Sequence, residues 1–478
     1  MGYLIIITLL VPFVLFCYFF RNKNGIPTNW PVVGMLPSLL INVHRIHDFF
    51  IEVMDKSNLT FHLKGPWLAN MHILATVDPA NLHHILSKSF RKYIKGAKLN
   101  EIAEVFGNGI IVADSPLWEY HRNVAQSFLY HPDFHHFLVN ITCKKMENGL
   151  LPVLNHFSEH AIEFDLQDLF LRFMYDTMCA IMMDHDPQSL SLNLPHFPLL
   201  TAVADITQVI YYRHLLPTRI WKLLRWLNIG YEKKNKLAWN TLDNFVYNCI
   251  DRKREERRNR TSKQKDQDMI EVSVDLLTLF MDTDEIAKTP THQNNDKFLR
   301  ETISNFFLAG GETTSTALSW FFCLLSKSPQ VVKKIKEELD LVMLHMDNYK
   351  DMFLRNFKEL SGNLVYLHAA ICETLRLYPS VVFNHKLPIE TDILPSGHVV
   401  NPNTEIIFNM YAMGRMKSIW GDDSDKFKPE RWIDKRGKIV AAMIIRNYDI
   451  QAVEDHHHPD ASIILRIKQG LKVKVCRY

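Results

Sequence analysis

The sequence predicts a mainly α (α+β) domain with small peripheral β-sheets, preceded by an N-terminal transmembrane helix. Three observations predict this fold class. Helical apolar periodicity fills most of the stretch from about 80 to 345. Glycine is sparse, 17 of 478 residues, which argues against an all-β chain with its many tight turns. Period-two alternation is confined to two short stretches, 60–78 and 462–475. With 47% hydrophobic and 11% aromatic residues, the chain can bury a large core.

The elements follow in order. Tyr3 to Phe20 is apolar except for Thr8 and Pro12, and its eighteen residues reach the short end of a spanning helix. Arg21 and Lys23 follow it and no basic residue precedes it, which places the rest of the chain in the cytosol. A cleaved signal peptide is the alternative, but its basic residues belong before the apolar run, and no A-x-A-like site follows. Residues 1–24 are therefore read as membrane anchor and basic stop. Residues 25–37 form a hinge in which Pro27, Pro31 and Pro37 remove backbone donors and fix φ. Residues 38–478 form the folded domain.

Within that domain, 60–78 suits a hairpin around Gly65-Pro66. Segment 207–227 is an apolar, aromatic and basic helix pair. It fits either contact with a membrane surface or ordinary amphipathic packing. Residues 251–268 are nearly all charged or polar and read as a solvated helix end and loop. Phe298 to Leu325 is one long apolar helix. Ser462–Ile467 and Leu471–Val475, joined by Lys468-Gln469-Gly470, read as a C-terminal β-hairpin.

A net charge of +3 is too weak for a nucleic-acid partner. Seven scattered cysteines, none in a C-x-x-C pair, suggest neither a zinc site nor a disulfide framework. Chemistry concentrates instead in short motifs. Gly310-Gly311 sits mid-helix at a cost of about 1 kcal/mol per Gly relative to Ala. Such a gap either lets a flat cofactor approach the backbone at Ala309 and Gly310 or marks a small-residue helix crossing followed by a solvated Glu. Glu312 and Thr313 then set an acid beside an alcohol. Glu373 and Arg376 stand at i, i+3 and can pair on one helix face. Trp118 and Arg122, at i and i+4, can both donate to one anionic group.

In order and separation, Ala309-Gly310-Gly311-Glu312-Thr313-Thr314, Glu373-Thr374-Leu375-Arg376 and Pro429-Glu430-Arg431-Trp432 resemble the signature set of a cytochrome P-450, a haem-thiolate monooxygenase. Trp118-Glu119-Tyr120-His121-Arg122, following Gly109–Asp114, resembles that family's W-x-x-x-R and the gating segment before it. The likeness covers nearly the whole chain. Asn29–Met35, Asp296–Arg300 and Ile444–Asp449 resemble the plant branch that hydroxylates fatty acids and long-chain alkanes.

The resemblance implies haem as cofactor and an apolar long-chain substrate. It also implies an NADPH-dependent flavoprotein reductase as partner and the endoplasmic reticulum membrane as location, single-pass with the domain in the cytosol. Glu312 and Thr313 would deliver protons during oxygen activation. Trp118 and Arg122 would hold a haem propionate, with His385 or Lys386 as a second donor. Val382 stands where the family usually has proline. Glu373, Arg376 and Arg431 would form a buried structural cluster that takes no part in chemistry.

One part of the pattern is missing. In the family the third motif is followed by F-x-x-G-x-R-x-C-x-G, whose cysteine ligates iron and drives O–O cleavage. Here Trp432-Ile433-Asp434-Lys435-Arg436-Gly437 runs straight into Lys438-Ile439-Val440, so the loop is deleted at the 437/438 junction. No residue is assigned as metal ligand. Cys476 lacks flanking glycines, and His456-His457-His458 lies in a polar loop. The chain as written is expected to be inactive. A catalytically dead form of the same fold, acting at most as a lipid- or partner-binding protein, stays open. So does a helical membrane-anchored protein unrelated to haem.

Overall fold

The computed structural model describes residues 26–67, 69, 71–130, 132–263, 275–282, 295–343, 364–402, 404–433, 448–454 and 456–477. The expected anchor at Tyr3–Phe20 and the 437/438 junction lie outside the described residues. No helix among the described residues is long and apolar enough to cross a membrane.

Helices dominate, as the periodicity predicts. After a short helix at Leu36–Ile41 come helix α1 (Ile46–Lys56) and strands β1 (Thr60–Lys64), β2 (His72–Thr76) and β3 (Tyr93–Ile94). Helix α2 (Leu117–Leu129), strand β4 (Phe164–Asp165) and helix α3 (Leu166–Met183) come next. Helices α4 (Pro198–Leu215), α5 (Thr218–Leu227), α6 (Gly230–Lys263), α7 (Asn295–Ser326), α8 (Pro329–Met343) and α9 (Val365–Leu377) follow. The remaining strands are β5 (Phe383–Pro388), β6 (Asp392–Ile393), β7 (Val399–Val400), β8 (Glu405–Asn409), β9 (Tyr448–Ala452) and β10 (Lys472–Arg477).

The chain gathers into two compact units. The first contains residues up to Gly96, Tyr212–Trp226 and Val382–Ser424. Its centre is a five-stranded sheet in the order β1-β2-β8-β5-β3. The expected hairpin is present, with Thr60 opposite Thr76 and Lys64 opposite His72. β2 pairs parallel to β8, which places Ile73 beside Glu405. Leu74, Tyr93, Ile406 and Phe408 bury one face of this sheet. The proline-rich hinge closes into a turn in which Trp30 and Gly34 exchange backbone hydrogen bonds, both 2.9 Å. On α5 only Trp221 is buried, with the Arg213 guanidinium 4.5 Å from its ring centroid. Ile220, Leu223 and Trp226 are exposed.

The second unit holds Ala97–Tyr211, Leu227–Val381 and Asp425–Tyr478. Its spine is α7 packed along α3. Phe307 on α7 meets the Tyr175 ring on α3 with centroids 5.0 Å apart. One core joins Phe170 and Phe173 of α3 to Trp320 and Phe322 of α7 and to Val473 of β10.

The C-terminal hairpin expected from alternation does not form. β10 pairs with β9 and with β4. Ser462–Ile467 contributes only isolated bridges, Val381 to Ile464 and Pro459 to Ile467. The cause is competition for its backbone. Leu465 N donates to Ser380 O, and Ile467 exchanges two hydrogen bonds with the Gln167 side chain. Those groups are then no longer available to a ladder.

Candidate functional site

The long helix α7 carries the first motif, and its middle has two unlike faces. Phe307, Leu308, Gly311, Glu312, Ser315 and Thr316 are buried. Ala309 and Thr314 are exposed, with Gly310 and Thr313 half-buried between them. A mid-helix strip this open, flanked by buried turns, is bare of protein. The Thr313 hydroxyl donates back to Ala309 O at 2.6 Å, and Thr313 O accepts the Ser380 hydroxyl at 2.7 Å.

The two glycines also serve the helix crossing. A Cβ on Gly311 would stand 3.0 Å from the Tyr175 ring, and one on Gly310 would run into the end of Met178. Both neighbours come from α3. Close approach of α3 and α7 thus accounts for the pair at least as directly as room for a cofactor does.

Glu312 is turned away from the open strip and is 1% exposed. Its Oε1 accepts the Tyr175 hydroxyl at 2.9 Å. Its Oε2 accepts Arg466 Nε at 2.8 Å, and Arg466 Nη2 closes on the same oxygen. Burial pushes the Tyr175 hydroxyl's pKa well up, and the neighbouring Glu312 charge adds to this. For Arg466, burial pulls the pKa down, but the charge and hydrogen bond of Glu312, joined by the charges of Tyr175 and Asp460, together outweigh it and hold the guanidinium more firmly protonated than usual. The acid of the expected acid–alcohol pair is therefore engaged in an ion pair.

Glu373, Arg376 and Arg431 come together. Arg376 Nε and Nη2 each donate to Glu373 at 2.7 Å, a bidentate pair, and Arg431 Nε donates at 3.3 Å. Trp432 Nε1 and the backbone N of Lys428 add further donors at 2.8 and 3.0 Å. Glu373 is fully buried. Burial alone raises its pKa, yet the hydrogen bonds from Arg376, Trp432 and Lys428 outweigh it and hold it below its usual value.

Trp118 and Arg122 share one face of α2, with the guanidinium 5.4 Å from the indole centroid. The loop before α2 is pinned to α7. Asn108 N donates to Glu301, Ile111 N to Asn305 Oδ1, and Asn305 Nδ2 donates to Phe106 O. His385 and Lys386 lie in the first unit, on neighbouring positions of β5. His385 Nε2 is 3.7 Å from Glu405, while Lys386 donates to Tyr93 O at 3.1 Å.

Sequence reasoning missed Tyr175, Arg466, Ser380, Glu301 and Asn305. Each acts on a residue far away in sequence, and no local spacing announces such a partner.

A thiolate-ligated haem needs a flat open face and a thiolate. The strip at Ala309–Thr314 fits the first need. The donor set does not fit the second. Cys143, Cys179, Cys249 and Cys323 are buried. Burial pushes the Cys179 thiol far up, and those of Cys249 and Cys323 to about 11. Cys372 is half-buried with its Sγ 3.4 Å from His368 Nε2, and Cys476 is an exposed residue of β10 opposite Asp449. His457 faces the Lys327 ammonium at 3.4 Å. No group of three or more metal-ligating side chains occurs among the described residues.

Known proteins resemble the chain over nearly its full length. It is 39% identical to alkane hydroxylase MAH1 of Arabidopsis thaliana, over 97% of this chain and 96% of that protein. It is 35% identical to noroxomaritidine synthase 1 of Narcissus pseudonarcissus, over 95% of this chain and 92% of that protein. The cytochrome P-450 family profile matches residues 25–449. That match runs through the helix with the open strip and through the Glu373 cluster, and the chain belongs to the cytochrome P-450 family.

Proposed function

We propose that this chain has the architecture of a membrane-bound monooxygenase for long aliphatic chains, fatty acids or alkanes, and is itself catalytically silent. The observation that carries the proposal is the open strip Ala309–Thr314 in a domain whose described thiols offer no axial ligand. The substrate class is supported by likeness to a protein named alkane hydroxylase MAH1. The deletion is supported by an alignment that spans 498 positions against the 478 residues of the chain, so gaps open within this chain. When present, a haem would supply the oxygen chemistry. Thr313 would offer the hydroxyl on the open strip, and Trp118 and Arg122 would be anion donors. His385 and Lys386 are proposed as further donors, and Glu312 as the companion acid.

The proposed setting is the endoplasmic reticulum membrane, with an NADPH-dependent flavoprotein reductase as electron donor. It rests on the apolar run Tyr3–Phe20 and its basic stop, and on the exposed Ile220, Leu223 and Trp226 of α5.

Purified after haem supplementation, the chain should give no thiolate-type band in a carbon-monoxide difference spectrum and no turnover of a fatty acid or alkane. A stoichiometric thiolate band would overturn the silent reading. Transcript sequence around the Gly437 and Lys438 codons separates a spliced form from a gene-level loss.

A further inference from the structure

We infer that Glu312 is the anchor of a latch: with Tyr175 and Arg466 it fastens Ile464–Ile467 across the middle of α7, beside Thr313. This segment has no strand ladder of its own, so something else must hold it. Its main chain is taken up by groups from three places. Leu465 N donates to Ser380 O at 3.0 Å, Ile467 N donates to Gln167 Oε1 at 2.8 Å, and Gln167 Nε2 returns a bond to Ile467 O at 3.0 Å. The Trp320 indole N–H donates to Leu465 O, and its ring stacks on Tyr378 at 3.7 Å.

Arg466 is the segment's one cation in this contact, and Glu312 is the anion it reaches. The carboxylate sits on α7, the phenol beside it on α3, and the guanidinium on the C-terminal segment. One ion pair therefore ties three elements. Ser380, whose carbonyl holds Leu465, also donates its hydroxyl to Thr313 O. The latch thus reaches the backbone of the residue that follows its anchor. This inference does not rest on haem.

Hydrogen-exchange mass spectrometry of the full chain in detergent tests it. Glu312→Gln and Arg466→Met should each speed exchange in peptides covering 463–467 about a hundredfold, because breaking a buried pair leaves its partner uncompensated. Peptides from β1 and β2 should not change. The double variant should exchange no faster than the faster single, since both singles break one shared contact. Arg466→Lys keeps the charge and should recover much of the protection. Thr313→Ala should leave 463–467 as in the parent chain. Unchanged exchange at 463–467 in Glu312→Gln, additive effects in the double variant, or a uniform rise across all peptides would each overturn the latch. Should Glu312→Gln fail to fold, Arg466→Met decides: a rise confined to 463–467 supports the latch, and none overturns it.

Discussion

Glu373 shows what one residue contributes and how much of that its sequence context reveals. Arg376 at i+3 was readable from spacing alone, and the fork between them is bidentate at 2.7 Å. Trp432 and the Lys428 amide were not readable as its donors, because only the fold brings them over more than fifty residues of chain. Removing the carboxylate strands Arg376, which is 2% exposed at its side chain. Glu373→Ala should therefore cost about 3–5 kcal/mol in urea unfolding. The acid dependence has a definite sign. The folded pKa of Glu373 lies below its usual 4.5, so its contribution is whole above that value and is lost as pH falls through the folded value. The stability gap between the parent chain and Glu373→Gln should stay flat from pH 7 to about 5 and narrow below it. A gap that widened in acid would contradict the assignment. Glu312 teaches the opposite lesson. Its neighbourhood in sequence named an acid beside an alcohol, while its ion partner Arg466 lies far down the chain.

At the scale of elements, periodicity located α7 to within a few residues, Phe298–Leu325 expected against Asn295–Ser326 found. It also located the β1–β2 hairpin. It located the strand expected at 471–475, found as Lys472–Arg477, but failed at 462–467, where alternation is real but side chains and loops outcompete a neighbouring strand for the backbone groups. Alternation reports which side chains face inward, not which strand lies alongside. The glycine pair in α7 was legible as a helix defect needing compensation, by a cofactor or by a helix crossing, but the crossing partner, α3, was not legible. That geometry separates the two positions. At Gly310 an added methyl meets the flexible end of Met178, which can swing aside, while at Gly311 it meets the Tyr175 ring, held at its hydroxyl by Glu312. Gly310→Ala should fall within about 1 kcal/mol of the parent, because gained helix propensity offsets the repacking. Gly311→Ala should lose about 1–3 kcal/mol by overpacking. Thermal unfolding of the two variants side by side checks this, and equal midpoints would show that the Tyr175 ring yields as easily as Met178.

For the whole molecule, the family was legible because its motifs are short strings, each readable without the fold. The ability to host a cofactor is a different property, since it needs every part of a site at once. The structure holds in place the residues proposed as its parts: the open strip on α7, the Trp118–Arg122 pair and the Glu373 cluster. It lacks a thiol that could serve among the described residues. Restoring that one part tests all the others together. A family cysteine loop inserted between Gly437 and Lys438 should give a thiolate-type carbon-monoxide band and hydroxylation of a long aliphatic chain. The insertion point lies just beyond Arg431 and Trp432, both held by Glu373. Glu373→Ala in the restored chain should therefore abolish haem incorporation, not merely slow turnover, because the segment entering the loop loses its anchor and buried Arg376 loses its counter-charge. Haem content separates these outcomes from activity. A restored chain that stays free of haem would mean that the retained motifs no longer make a site. Full haem content in its Glu373→Ala variant would mean that the cluster steadies the fold without guiding the loop.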